Sequence, residues 1–199
     1  MRKAILIASL FLPILLSNLA GAQQMDFAFG LSTLRGTASA DATGTHAFQT
    51  IGGGAYPAFS ADFLFKNRFG VQGEVAWRAG QNLYQGYQPF RPVLFDFNGI
   101  WIPKLGDRME AELMAGGGVQ SARFYQNYVT CGSFSGCTNY ISSNHLMGHV
   151  GGGVRLYFTR NLFIRPEAHL YFVRNNVEFS GANASRVGVS IGYSWRSGN

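Results

Sequence analysis

The sequence predicts an all-β fold: an eight-stranded antiparallel up-and-down transmembrane β-barrel. Three observations carry this. Charged residues are 13% of the 199-residue chain, about half the roughly 25% usual in soluble domains. Gly (26 residues) and aromatics (15%) are both abundant. From residue 23 onward apolar and polar residues alternate with period two in eight runs, and no run reaches the about 20 apolar residues of a membrane helix.

The N-terminal segment stands apart from this pattern. Arg2 and Lys3 form a basic head, Ala4 to Leu16 is apolar except for Ser9 and Pro13, and Ala20-Gly-Ala22 puts small residues at a cleavage site. That three-part layout predicts a signal peptide over 1–22, cleaved after Ala22, with the barrel over 23–199. Without Arg2 and Lys3 the 16 basic residues fall to 14, against 10 acidic ones. The excess is mild and holds no Lys/Arg block, so a nucleic-acid partner is not expected.

The eight runs follow in order. Phe27, Phe29 and Leu31 alternate with Asp26, Ala28 and Gly30 in the first, and Phe59, Ala61, Phe63 and Phe65 with Ser60 and Asp62 in the second. Val71, Gly73, Val75 and Trp77 alternate with Gln72, Glu74 and Ala76. Val93, Phe95, Phe97, Gly99 and Trp101 alternate with Leu94, Asp96, Asn98 and Ile100. In the fifth, Ala111, Leu113, Ala115 and Val119 face away from Glu112, Met114 and Gln120; in the sixth, Leu146, Val150, Val154 and Leu156 face away from His149 and Arg155. The seventh sets Leu162, Ile164, Ala168, Leu170 and Phe172 against Arg165, Glu167, His169 and Tyr171. The eighth sets Val187, Val189, Ile191, Tyr193 and Trp195 against Gly188, Ser190, Gly192 and Ser194.

Connections alternate in length. Residues 66–69, 104–107 and 159–161 are tight turns, whereas 35–51, 80–89, 125–144 and 175–185 are longer and polar. Short turns on one side and long loops on the other are the membrane-barrel arrangement, with both termini on the short-turn side.

Alternation alone does not say which face is outside. A water-facing surface is about 25–35% charged, but the polar face here is mostly Gly, Ala and Ser with a few acids and arginines. Small residues suit the lumen of an eight-stranded barrel. The large aromatics are expected on the opposite face, with Trp77, Trp101, Tyr193 and Trp195 near strand ends as interfacial girdles. The lipid-facing set then includes Phe63, Val75, Phe97, Leu113, Val154, Leu170 and Ile191.

This pattern resembles the OmpA/OmpX-like family of small outer-membrane barrels, over nearly all of residues 23–196. The most specific element is Arg186-Val-Gly188-Val-Ser-Ile191-Gly-Tyr193, which fits the family's C-terminal sorting pattern, although Arg196-Ser-Gly-Asn199 follows Trp195. The resemblance implies a bacterial outer-membrane location, contact with membrane lipid, and recognition by the barrel-assembly machinery through Gly188, Ile191, Tyr193 and Trp195. It covers the barrel only, without a peptidoglycan-binding domain. A monomer is expected.

The polar face carries Asp62, Glu74, Asp96, Glu112, Arg155, Arg165 and Glu167, with His169 beside them. Counted from the turns, Asp62 and Glu74 are both six residues from Arg68 and so should face each other. Arg155 and Arg165 are both five from Arg160 on the opposite wall. Buried charges need partners, so these seven are expected to pair across the lumen and plug it.

No catalytic residues, cofactor or metal site are expected. The eight-stranded lipid A deacylases place a nucleophilic Ser two positions after a His, and none of His46, His145, His149 or His169 has a Ser there. His145 and His149 are spaced four apart, too sparse for a metal alone. Gly116–Gly118 and Gly151–Gly153 lie mid-strand, not before a helix, and are not phosphate loops. Cys131 and Cys137, the only cysteines, flank five residues and are expected to form a disulfide after export. Around them Tyr125, Tyr128, Phe134 and Tyr140 make the 125–144 loop a candidate surface for an extracellular ligand. The expected role is structural or surface-interacting and non-catalytic; the alternatives are a narrow ion pore and a lipid-modifying enzyme.

Overall fold

The computed structural model describes residues 24–36, 51–65, 68–132, 136–174, 179 and 183–196. The expected signal peptide, Phe134 and much of the longer connections lie outside them. The strands are β1 (Gln24–Gly36), β2 (Ala55–Leu64), β3 (Phe69–Trp77), β4 (Asn82–Tyr84), β5 (Gln88–Trp101), β6 (Met109–Gly132), β7 (Gly136–Tyr157), β8 (Leu162–Val173) and β9 (Asn183–Arg196).

Eight of them close a ring in the order β3-β2-β1-β9-β8-β7-β6-β5, with β3 pairing back onto β5. All pairings are antiparallel, and the first and last strands are neighbours, Phe29 opposite Ile191. Closure leaves no unpaired edge, which the hydrocarbon region requires because it has no water to satisfy backbone groups. β4 lies outside the ring as a three-residue addition to β5.

The apolar face points outward. Phe29, Phe97, Leu113, Leu170 and Ile191 are roughly half exposed or more, while Asp26, Gln72, Glu112, Arg155 and Arg165 are buried. Phe63, Val75 and Val154 also sit on the outer side of their strands. A protein with charges inside and aromatics outside has lipid, not water, as its solvent. Trp101 and Phe69 stack at the short-turn rim with ring centres 5.9 Å apart, and Tyr193 and Trp195 are exposed at the same end.

Three expectations change. Asp62 pairs with Gln72, and Glu74 with Ser60, so the two acids do not face each other. The Phe65 N–H donates to the Phe69 carbonyl and Leu64 pairs with Gly70, a register centred one residue earlier than a pivot at Arg68 requires. Moving a pivot by one residue moves the partner by two, so the register changes while every side chain keeps its face.

The large aromatics are not all outside: Tyr56, Phe90 and Phe163 are fully buried. For Phe163 a glycine on the neighbouring strand leaves the room. A Cβ on Gly192 would lie 2.2 Å from Phe163 Cζ, and the two residues are direct cross-strand partners. The ring covers the strand where it has no side chain.

The 125–144 segment is largely not a loop. β6 and β7 run on together, with Tyr125 opposite Tyr140 and Cys131 opposite Cys137, and one irregularity between Tyr125 and Thr130. Tyr, Val, Thr and Ile along both limbs favour extended backbone. The Cys131–Cys137 disulfide ties the ribbon near its tip.

Candidate functional site

The lumen holds the chemistry. Apart from Glu110, six buried carboxylates (Asp26, Asp62, Glu74, Asp96, Glu112 and Glu167) share three buried arginines, Arg155, Arg165 and Arg186. Arg155 and Arg165 each serve several carboxylates, Arg186 meets Glu74 alone, and Asp96 is held by Asn98. The planar fork of donors on a guanidinium suits the first two to that.

Arg155 on β7 is the clearest case. Its Nη2 donates to Asp62 Oδ2 of β2 at 2.6 Å, its Nη1 to Asp26 Oδ2 of β1, and its Nε to Glu112 Oε2 of β6. Three nitrogens thus reach three strands. Arg165 on β8 donates to Glu112 at 2.9 Å, to Glu167 at 2.6 Å and to the Ser60 hydroxyl at 3.0 Å. The flanking pairs, Gly153 with Glu167 and Leu156 with Ile164, set Arg155 opposite Arg165 on adjacent strands. These like charges are kept together by the carboxylates they share.

A second centre lies nearer the long-connection end. Arg186 Nη2 contacts Glu74 and donates to His169 Nε2 at 2.9 Å. His169 Nδ1 meets His149 Nε2 at 3.0 Å, and His149 Nδ1 meets Asn98 Oδ1 at 2.7 Å. Asn98 Nδ2 then donates to Asp96 Oδ1 at 2.6 Å and to Gln72 Oε1 at 3.2 Å. Gln72 Nε2 closes the path on Glu112 at 3.1 Å. Donors and acceptors match all along this chain only when both imidazoles are neutral and carry the proton on Nδ1. Gln72, Asn98, His149 and His169 therefore join the two ionic centres without adding charge.

Of the residues singled out in sequence, Asp62, Glu112, Arg155, Arg165 and Glu167 come together. Glu74 and Asp96 belong to the second centre. Asp26 and Arg186 were missed, although both occupy the same alternating face and that face was the available signal. Glu74, Glu167 and His169 bring ligand-type atoms within 4.8 Å of one another, but Arg186 reaches both Glu74 and His169 and supplies the positive charge there.

The polar column ends in apolar layers. Towards the long connections, Leu34, Tyr56, Phe90, Leu94, Tyr171 and Phe179 belong to one buried cluster. Phe90 and Phe179 have ring centres 5.3 Å apart. Towards the short turns, Leu64, Ile100, Ile102 and Met114 form a smaller one.

No family model matches the chain, and no curated protein matches it. Solved structures do. Neisserial surface protein A matches with a TM-score of 0.62 and 10% identity, covering 85% of this chain and 96% of that one. Ail, the attachment invasion locus protein of Yersinia pestis, matches at 0.55 and 12% identity, covering 87% and 99%. The N-terminal β-barrel domain of Pseudomonas aeruginosa OprF matches at 0.53 and 11%, covering 88% and 99%.

The fold is that of the small outer-membrane β-barrels.

Within that fold the remaining sequence candidates are placed as follows. On β9 of the barrel, Ile191, Tyr193 and Trp195 are exposed. Gly188 faces inward, where a Cβ would lie 2.4 Å from Ser32 Cβ. On the ribbon, Tyr125 and Tyr140 lie 5.9 Å apart and Tyr128 is exposed. Ser143 Oγ and His145 Nε2 are 3.1 Å apart, a Ser-x-His contact that runs in the reverse order of the His-x-Ser pattern.

Proposed function

We propose that this protein is an exported, monomeric outer-membrane barrel with a structural or surface-interaction role, a closed lumen and no catalytic activity. Its signal peptide is removed, and its last strand, through Gly188, Ile191, Tyr193 and Trp195, engages the barrel-assembly machinery. The observation that carries the closed lumen is the set of contacts around Arg155, backed by the apolar layer at Phe90 and Leu94. Water and ions would have to displace paired charges and then cross a dry ring of side chains.

The interaction role rests on the β6–β7 ribbon, which carries β-structure beyond the barrel and exposes Tyr128, Val129 and Ile141. Ail is known in complex with the heparin analogue sucrose octasulfate, which supports an extracellular ligand for a barrel of this shape. Fractionation and surface labelling test the reading. The protein should sediment with outer membranes, and a protease added to intact cells should cut the ribbon while the barrel survives.

The Ser143–His145 contact favours a second reading, a lipid-modifying hydrolase, since a His within hydrogen-bond reach activates a Ser nucleophile. Release of fatty acid from membrane lipid by refolded protein, lost in Ser143→Ala, would establish it; absence of turnover supports the non-catalytic role.

A further inference from the structure

On the outer face of the barrel, Arg91 of β5 and Arg123 of β6 stand directly opposite each other. Like charges in that position repel. Among the described residues neither is paired with a carboxylate. Aromatic faces hold them instead: Arg91 lies over Tyr125 at 5.9 Å and Arg123 over Tyr140 at 5.1 Å. Arg91 Nη2 reaches the Ala79 carbonyl at 3.4 Å, while its Nε is buried and has no hydrogen-bond partner among the described residues. Two cations are thus fixed side by side with no carboxylate among the described residues to neutralise them.

Their height supplies the ligand class. Below Arg91 the positions on the same face of β5 are Val93, Phe95, Phe97, Gly99 and Trp101; below Arg123 those of β6 are Ser121, Val119, Gly117, Ala115 and Leu113, of which Val93 and Ser121 are buried and Phe95, Phe97, Trp101 and Leu113 exposed. A transmembrane strand crosses the hydrocarbon in about 9–11 residues. The eleven residues from Trp101 to Arg91 therefore place the arginines at the edge of the apolar band, where headgroup phosphates lie. Guanidinium forks grip phosphate through paired charge-assisted hydrogen bonds, and tyrosines favour the same interfacial depth.

We propose that Arg91 and Arg123, flanked by Tyr125 and Tyr140, bind the phosphate of a lipid headgroup in the leaflet on the ribbon side. This rests on the outer-membrane reading above. The test is native mass spectrometry of refolded full-length protein in neutral detergent with added phosphatidic acid. Diacylglycerol serves as the phosphate-free control and inorganic phosphate as competitor.

Wild type should retain phosphatidic acid at a concentration about tenfold lower than R91Q/R123Q does, the scale of losing charged hydrogen bonds. R108Q/R160Q, which removes two exposed arginines at the opposite rim, should behave like wild type. Diacylglycerol should show no such difference, and inorganic phosphate should compete only in large excess. Equal retention by wild type and R91Q/R123Q overturns the site, as does an equal loss in R108Q/R160Q. Displacement by equimolar inorganic phosphate overturns the lipid assignment. Heat-modifiable gel mobility reports folding of each protein separately, so failure of the barrel reading is distinguished from failure of the site. If R91Q/R123Q does not fold, R123Q alone carries the comparison.

Discussion

Arg155 Nη2 lies 2.6 Å from Asp62 Oδ2, and the two side chains come from strands four places apart in an eight-membered ring, β7 and β2. This contact spans the full width of the lumen. It ties opposite walls of the barrel in a way that backbone pairing, which joins only neighbours, cannot.

Losing Arg155 should therefore cost more than losing one of its acids. Arg155→Ala leaves Asp26, Asp62 and Glu112 without their shared cation, and breaking a buried ion pair from one side costs about 3–5 kcal/mol. Asp62→Asn leaves two carboxylates on the arginine and should cost less. Combining Asp62→Asn with Arg155→Ala should be milder than the sum of the two, because contacting residues are not additive. Urea unfolding of protein refolded in bilayers measures all three; strict additivity would deny the contact.

The outward facing of the apolar set predicts a depth-dependent penalty. Arg substituted at Val154 or Phe97 should destabilise the barrel by about 2–4 kcal/mol near the bilayer midplane. Unchanged stability of Val154→Arg in the same unfolding assay would mean that this position does not meet lipid.

Phe163 and Gly192 should behave as a pair. A side chain at Gly192 collides with the ring, so Gly192→Val should cost about 1–3 kcal/mol, as overpacking does. Phe163→Ala in the same protein should recover part of that loss. If Gly192→Val is tolerated with Phe163 present, the ring does not rest where the structure places it.

These residues mark how far the sequence could be read. Period-two alternation sets a strand's face without setting its register, because a shift of two residues leaves the pattern unchanged. Hence the inward acids and arginines were legible, but the Asp62–Gln72 pairing, fixed by one turn, was not. Asp26 and Arg186 showed the right face but sat away from the turns used to estimate height. Phe163 contradicted the simple division of aromatics from small residues, since its room comes from a glycine on the next strand. The β6–β7 ribbon was hidden because Ser, Asn and Gln among its tyrosines read as loop.

The disulfide should stabilise the ribbon and leave the barrel alone. Cys131 and Cys137 are six positions apart in sequence, so their bond restrains little of the unfolded chain. Reduction should speed proteolysis between 125 and 144 while the heat-modifiable mobility of the barrel stays unchanged. Thiol labelling of both cysteines on intact cells without reductant would contradict the bond.

Planar-bilayer conductance of the refolded protein, wild type beside Arg155→Ala, tests the closed lumen most directly. Wild type should give no steady single-channel steps. Arg155→Ala should give brief openings, because three carboxylates lose their shared partner and admit water and cations while the layer at Phe90 and Leu94 still restricts flow. A steadily open wild-type channel whose conductance is the same in Arg155→Ala would contradict the plug and favour an ion pore.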